Sequence, residues 1–163
     1  MKYILIFLFF LHNINLKCED YIIDNNGTRT VITEHNYSDR SLFRAFKLVG
    51  TFTDNLGNYG DWNAFVTTYI TDKKITKLDF SAQFKYQNRK SVFLQGFRKE
   101  GAAMQAGVGR STVTFTDKEL EKLLSSKCVY SVKFLDENIF GKTKCKINAE
   151  ALNVLTNLQE SVE

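Results

Sequence analysis

The chain has 163 residues, a formal net charge of +4 and no proline. This length fits one domain, and removal of Lys2 and Lys17 with an N-terminal segment leaves a charge of about +2, too little to indicate nucleic-acid binding. The chain has two histidines, His12 and His35, and His12 lies in the apolar N-terminal run. A multi-histidine metal site is therefore excluded, and no metal or other cofactor is predicted.

The first eighteen residues have the pattern of a secretory signal peptide. Lys2 precedes nine consecutive apolar residues, from Tyr3 to Leu11, and a bilayer-spanning helix needs roughly 20. We expect cleavage near Cys18 and a secreted or periplasmic protein with no transmembrane segment after signal removal. A buried N-terminal strand is the alternative. Asn26 and Asn36 each begin a glycosylation sequon, which matters only in a eukaryotic secretory pathway.

Residues 19–41 are polar and form either a strand or a loose arm, and we assign them to an N-terminal arm that precedes a single domain over 42–163. From Phe43 onward the pattern has period 2, which is typical of strands with one buried face. Segments 62–70 and 90–98 are apolar on both faces, which predicts strands covered on the outside by a helix or partner. The clearest alternation involves Leu78, Phe80, Ala82, Phe84 and Tyr86.

Short strands with short connections indicate an antiparallel meander. The predicted fold is all-β, a small antiparallel barrel of about eight strands, with a sandwich as the alternative. Two helical pieces interrupt the pattern. Residues 117–124 carry the apolar pair Leu120 and Leu124, and Asn148 can cap a C-terminal helix with leucines at helical spacing: Leu152, Leu155 and Leu158.

The last two strand-like runs predict a disulfide-linked hairpin. Two cysteines remain after signal removal, Cys128 and Cys145, and a pair in an exported protein suggests one disulfide. If they face each other in an antiparallel hairpin, the residue numbers of every opposed pair add up to the same total. Phe134 then opposes Ile139. This register matches the hydrophobic alternation. A pair of buried free thiols is the alternative.

Two loops resemble binding motifs. The stretch "TDNLGNYGDW", which begins at Thr53, is rich in Asp, Asn and Gly, but Leu56 and Gly57 stand where a calcium loop needs other residues, so a hairpin turn is predicted. The stretch "AGVGR", which ends at Arg110, offers a possible anion contact. It enters a strand rather than a helix, so close backbone approach is the preferred interpretation.

No catalytic residue is predicted, because His35 stands alone and the cysteines are expected to be paired. Acidic residues such as Asp61 and Glu100 are expected to be solvated surface charges. The fourteen phenylalanines and seven tyrosines are the remaining positive feature. They form either a packed core or the lining of a cavity for an apolar ligand, with these candidate lining residues: Trp62, Phe80, Phe84, Tyr86 and Tyr130.

"KLVGTFTDNLGNYGDW", followed by "AGVGRSTVTFTDKELEKL" and "CVYSVKF", resembles the allene oxide cyclase and dirigent-like barrels over about residues 44–147. The resemblance implies an eight-stranded barrel with an apolar cavity, and no family active-site residue matches a position here. We therefore expect an exported, non-enzymatic barrel that binds an apolar small molecule or a protein partner. The alternatives are a cavity-type isomerase or cyclase and an envelope or surface structural protein.

Overall fold

A computed structural model describes residues 19–98 and 105–158, so the predicted signal peptide with Cys18 lies outside the described residues. Eight antiparallel strands, each hydrogen-bonded to the next in chain order, close into a barrel where the last pairs with the first. The strands are β1 (Glu19–Asn36), β2 (Leu42–Asp54), β3 (Tyr59–Thr71), β4 (Lys74–Tyr86), β5 (Ser91–Arg98), β6 (Ala106–Thr116), β7 (Lys127–Leu135) and β8 (Asn138–Ile147).

This closed barrel confirms the predicted all-β fold and excludes the sandwich. Period 2 in the sequence places alternate residues inside, as with Phe46, Leu48 and Phe52 on β2, which are at most 6% exposed. The described residues contain no helix long and apolar enough to cross a bilayer.

The first strand corrects the predicted domain boundary. Residues 19–36 form β1, which pairs with β2 from Ile23 to Asn36 and with β8 from Glu19 to Thr28. Tyr21 and Ile23 point into the core and are 2% and 3% exposed. The barrel thus begins at Glu19 rather than at residue 42. The sequence suggested an arm because only a short stretch of β1 has an apolar face, and its second half pairs with β2 alone and is exposed.

The predicted register of the last hairpin is confirmed. Cys128 opposes Cys145 and Phe134 opposes Ile139, and the two cysteines form a disulfide. A two-residue connection, Asp136 and Glu137, joins β7 to β8.

One end of the barrel is closed by helical segments. The predicted helix at 117–124 is a 3₁₀ helix, Lys118–Leu123, and it buries Leu120 and Leu123 because side chains three apart share a face at three residues per turn. Leu124, the second residue of the apolar pair named from the sequence, is 51% exposed. The C-terminal helix α1 (Ala149–Thr156) begins as predicted, with Asn148 Oδ1 accepting a hydrogen bond from the Ala151 amide at 2.8 Å.

The outer wall differs from expectation on the two strands that are apolar on both faces. Phe65 and Tyr69 on β3 and Phe97 on β5 point outward and are 54%, 40% and 49% exposed. No helix covers these side chains within residues 19–98 and 105–158, since α1 and the 3₁₀ helix pack on the barrel end. The expectation of a covering helix is therefore wrong, and a covering partner stays a prediction.

Candidate functional site

The 3₁₀ helix and α1 together form a helical cap on one end of the barrel. The other half of the barrel contains a cavity. The cavity has a volume of about 70 Å³. The unoccupied space reaches about 660 Å³ when the open solvent at its mouth is counted as well. Three inward-facing residues that line it, Phe80, Val132 and Phe134, remain partly exposed. The cavity is therefore connected to solvent.

Small residues on the inner wall explain why this half of the barrel is not filled. Ala64 and Ala82 are register partners on β3 and β4, and both line the cavity. Gly96 and Gly109 also face inward. A Cβ at Gly96 would lie 2.5 Å from the Phe80 ring, and a Cβ at Gly109 would lie 2.3 Å from the Tyr130 hydroxyl, so either would collide. These glycines allow large side chains to lie flat against the wall, which leaves the centre of the barrel open.

The apolar part of the lining surrounds the cavity on most sides. It includes two aromatic residues stacked with centroids 6.1 Å apart, Trp62 and Phe84, and a T-shaped pair with centroids 5.0 Å apart, Phe80 and Tyr130. The indole Nε1 of Trp62 donates to the Asn26 carbonyl at 2.9 Å. This hydrogen bond satisfies the polar atom of the ring and fixes its orientation.

Polar side chains on five neighbouring strands also line the cavity: Asn25 on β1, Arg98 on β5, Ser111 on β6, Tyr130 on β7 and Thr143 on β8. Arg98, at the end of β5, is only 5% exposed, and so is Ser111 on β6. The Ser111 hydroxyl has no hydrogen-bond partner among the described residues. The Tyr130 hydroxyl donates to the Phe97 carbonyl at 3.3 Å. Burial raises the pKa of Tyr130, while the nearby Arg98 guanidinium acts in the opposite direction. The arrangement can bind a polar group inside an otherwise apolar cavity.

Four of the five aromatic candidates named from the sequence lie together here. Trp62, Phe80, Phe84 and Tyr130 line the cavity, whereas Tyr86 borders a second void of about 10 Å³ near the helical cap.

Arg110, the candidate anion contact, is exposed on the outer face of β6, and its role stays a prediction. The cavity cation is instead Arg98, which the sequence reasoning missed. The sequence did contain the information, because alternate residues of a strand point to the same face. Val92, Leu94, Gly96 and Arg98 are alternate residues of one strand. Since Val92 and Leu94 are apolar and point inward, Arg98 points inward as well.

The stretch "TDNLGNYGDW" forms the predicted turn between β2 and β3. Asp54 Oδ1 accepts from the amides of Leu56 and Asn58 at 2.9 and 2.8 Å, and Gly57 has a φ of 88°, a conformation that favours glycine. The turn also connects the barrel to the helical cap. Asn58 is fully buried and donates to Asp54 Oδ2 and to the Leu155 carbonyl of α1, each at 3.0 Å.

Between the cavity and the helical cap, the barrel interior is packed, and its polar groups are hydrogen-bonded. The Tyr21 hydroxyl donates to Asp54 Oδ2 at 2.7 Å and shares a second hydrogen bond of 2.7 Å with the Tyr86 hydroxyl. Desolvation by burial raises the pKa of both phenols. These groups therefore remain neutral and hold the capped end together, so the solvent-connected half is the candidate site.

The chain is similar in structure to an enzyme from Penicillium herquei. The two superpose with a TM-score of 0.50 at 12% sequence identity, over 80% of this chain and 93% of that chain. At this identity the likeness shows the fold alone. No family model matches the chain, and no curated protein matches it. The eight-stranded barrel implied by the allene oxide cyclase and dirigent-like resemblance is present.

Proposed function

We propose that this protein is an exported barrel that binds a small apolar molecule in its cavity without transforming it. The observation that carries the proposal is the solvent-connected cavity, lined on most sides by aromatic and aliphatic side chains such as Trp62, Phe84 and Leu94. Ligand sites are typically concave and mostly apolar, with a few polar groups that fix orientation. Arg98, Ser111 and Tyr130 fit that description.

Two features support export. The apolar run that follows Lys2 has the length of a signal peptide rather than of a membrane span. The disulfide between Cys128 and Cys145 is typical of proteins that fold in an oxidising compartment. A secreted or periplasmic carrier would meet apolar molecules that dissolve poorly in water and need a protected cavity.

The proposal is tested with the neutral dye N-phenylnaphthylamine, whose fluorescence rises in apolar surroundings. We expect saturable binding to the folded protein at one site. Ala82→Leu places a larger side chain inside the cavity and should weaken dye binding by at least about tenfold, since overpacking a filled site is unfavourable. The matched control is Ser81→Leu, one residue away on the outer face, which should leave dye affinity unchanged.

Thermal melting of both variants shows whether the barrel remains folded. If wild-type protein fails to bind the dye, or if Ala82→Leu binds it as well as wild type does, the cavity is not a ligand site.

A cavity-type isomerase or cyclase is the second candidate function. Its support is the presence of Arg98, Ser111 and Tyr130 in the lining of a mostly apolar cavity, together with the resemblance to allene oxide cyclase-like barrels and the structural likeness to a protein described as an enzyme. The two functions are distinguished with a ligand recovered from protein purified from its source. When this ligand is added back in excess, a carrier returns it unchanged, whereas an enzyme at substoichiometric amounts converts it.

A further inference from the structure

The cavity contains one buried cation in a position suited to a ligand. Arg98 is the last residue of β5, its side chain lines the cavity, and it is 5% exposed. No cavity-lining residue in the described part of the chain is acidic. A guanidinium carries five N–H donors in a planar fork, so donors remain for a ligand whatever other contacts the group makes.

The surroundings of Arg98 add a further hydrogen-bonding group. Gly109 on β6 is the register partner of both Arg98 on β5 and Tyr130 on β7, so Arg98 and Tyr130 approach across that glycine. A Cβ at Gly107 would lie 3.0 Å from the guanidinium carbon, so the absence of a side chain there makes room for the guanidinium. Ser111 lies four residues from Gly107 along β6, a separation of roughly 13 Å, and the Tyr130 ring covers Gly109 between them. The unpartnered Ser111 hydroxyl therefore lines a different part of the cavity.

The Arg98 guanidinium is a hydrogen-bond donor in a cavity whose lining is mostly apolar. A hydrogen bond to a charged group is stronger than one between neutral groups, so a ligand with an anionic group gains more from this cation than a neutral ligand does. An oxyanion would accept hydrogen bonds from the Arg98 guanidinium. A planar carboxylate matches the guanidinium fork in a bidentate arrangement.

We propose that the cavity selects apolar molecules that carry one oxyanion, a carboxylate in the natural ligand, with the oxyanion held by Arg98 and the apolar body placed against Trp62 and Phe84. This inference rests on the proposed function, because it names the class of ligand for the same cavity. The Tyr130 hydroxyl, beside Arg98, supplies a further polar contact at the ligand's charged end.

The test compares two dyes that share one apolar body. Anilinonaphthalenesulfonate differs from N-phenylnaphthylamine by a single sulfonate group. We expect wild-type protein to bind the anionic dye about tenfold or more tightly than the neutral one, the preference that a hydrogen bond to a charged group gives. The measurement is fluorescence titration at low and at moderate salt, because a buried pair is screened less than a surface one.

The decisive variant is Arg98→Met, which keeps the side chain's approximate length and removes its charge. It should abolish the preference for the anionic dye while binding of the neutral dye stays within about twofold, and Arg98→Lys should retain part of it. Arg110→Met is the matched control, because it makes the same charge change on the outer face of the adjacent strand. It should leave both affinities unchanged.

The carboxylate class is tested by displacement of the bound dye from wild-type protein. Decanoate and naphthoate should displace it more strongly than decanol and naphthalenemethanol. Strong displacement by decanoate alone assigns a straight-chain acid, and by naphthoate alone a ring acid. Because this arm uses only wild-type protein, it holds even if Arg98→Met fails to fold.

Failure of the inference differs from failure of the proposed function. If the neutral dye binds in the cavity and the anionic dye binds no tighter, the ligand class is wrong and the binding function stands. Equal loss of anionic dye binding in Arg98→Met and Arg110→Met would assign the preference to general surface charge and overturn the inference. If neither dye binds, both proposals fall.

Discussion

Two tyrosines at the capped end couple the stability of the barrel to alkaline pH. Tyr21 and Tyr86 are 2% and 3% exposed and share a hydrogen bond. Desolvation raises the pKa of each above its ordinary value of 10.0. The neutral phenols therefore contribute a stability that is complete below pH 10 and is lost as the pH rises through the folded-state pKa, because the unfolded chain ionises first.

We predict that the free energy of unfolding falls above pH 10 by about 1.4 kcal/mol per pH unit for each of the two tyrosines. Urea unfolding at a series of pH values measures the slope. Tyr86→Phe should reduce it by about half, and Tyr59→Phe, which removes a phenol that is 56% exposed, should leave it unchanged. A slope identical in wild type and Tyr86→Phe would contradict the assignment.

A single asparagine joins the β2–β3 turn to the helical cap. Asn58 donates to Asp54 and to the Leu155 carbonyl, and its Oδ1 accepts from Gln87 Nε2 at 2.9 Å. We predict that Asn58→Ala lowers the free energy of unfolding by about 2–4 kcal/mol, because it leaves buried partners unsatisfied. Asn153→Ala, on the exposed face of α1, is the control and should have little effect. Chemical denaturation of both variants decides, and a loss below about 1 kcal/mol would show that water replaces these contacts.

The β7–β8 hairpin is the element that sequence alone predicted most completely. Its lysines, however, have a role that the sequence did not show. Lys142 pairs with Asp24 at 3.0 Å, and Lys144 and Lys146 both pair with Asp20. Lysines on a strand often keep a free edge from pairing with another molecule, whereas β8 has no free edge because it pairs with β1. The hairpin therefore closes the barrel.

We predict that the Cys128→Ser, Cys145→Ser variant melts well below wild type. The disulfide closes a loop with a sequence separation of 17, for which the chain-entropy model gives about 3 kcal/mol. Mass analysis should find the wild-type chain two hydrogens lighter than its reduced form. Reductant should lower the melting temperature of wild type toward that of the variant and leave the variant unchanged. Free reaction of both thiols with an alkylating reagent in the native protein would contradict the bridge.

Across the whole molecule, the local pattern predicted which residues face inward but not their depth in the barrel. Alternation correctly placed Leu78, Phe84 and Tyr86 inside. Depth depends on strand tilt and stagger, which are set by long-range pairing, so nothing local separated Tyr86 at the capped end from Phe80 at the cavity. The cavity itself results from Ala64 and Ala82 meeting across two strands, a coincidence that becomes visible only when the register is known.

Arg98 and β1 were missed for different reasons. Segment 90–98 was interpreted as apolar on both faces, and this obscured the parity that places Arg98 inside. In β1 the inward residues occupy only its first half, since the second half extends beyond β8 and pairs with β2 alone. A polar strand of this kind is stabilised by pairing with its neighbours rather than by its own hydrophobic pattern.

If the chain is exported as proposed, closure of the barrel limits where it can be cut. Tyr21 is buried and hydrogen-bonded to Asp54 and Tyr86, and Glu19 already pairs with Ile147 of β8. Loss of Tyr21 would remove a fully packed aromatic side chain, a change that costs about 3–5 kcal/mol in a protein core. Cleavage after Cys18 preserves every residue of β1.

We therefore predict that the mature protein begins at or before Glu19, with the apolar run of residues 3–11 removed. Sequencing the N-terminus of protein purified from its source measures this directly. A variant chain that begins at Asn25 should fail to give a stable barrel, whereas one that begins at Glu19 should melt like the mature protein. Retention of Met1 in the purified protein would contradict export, and a natural N-terminus beyond Tyr21 would contradict the role assigned to the first half of β1.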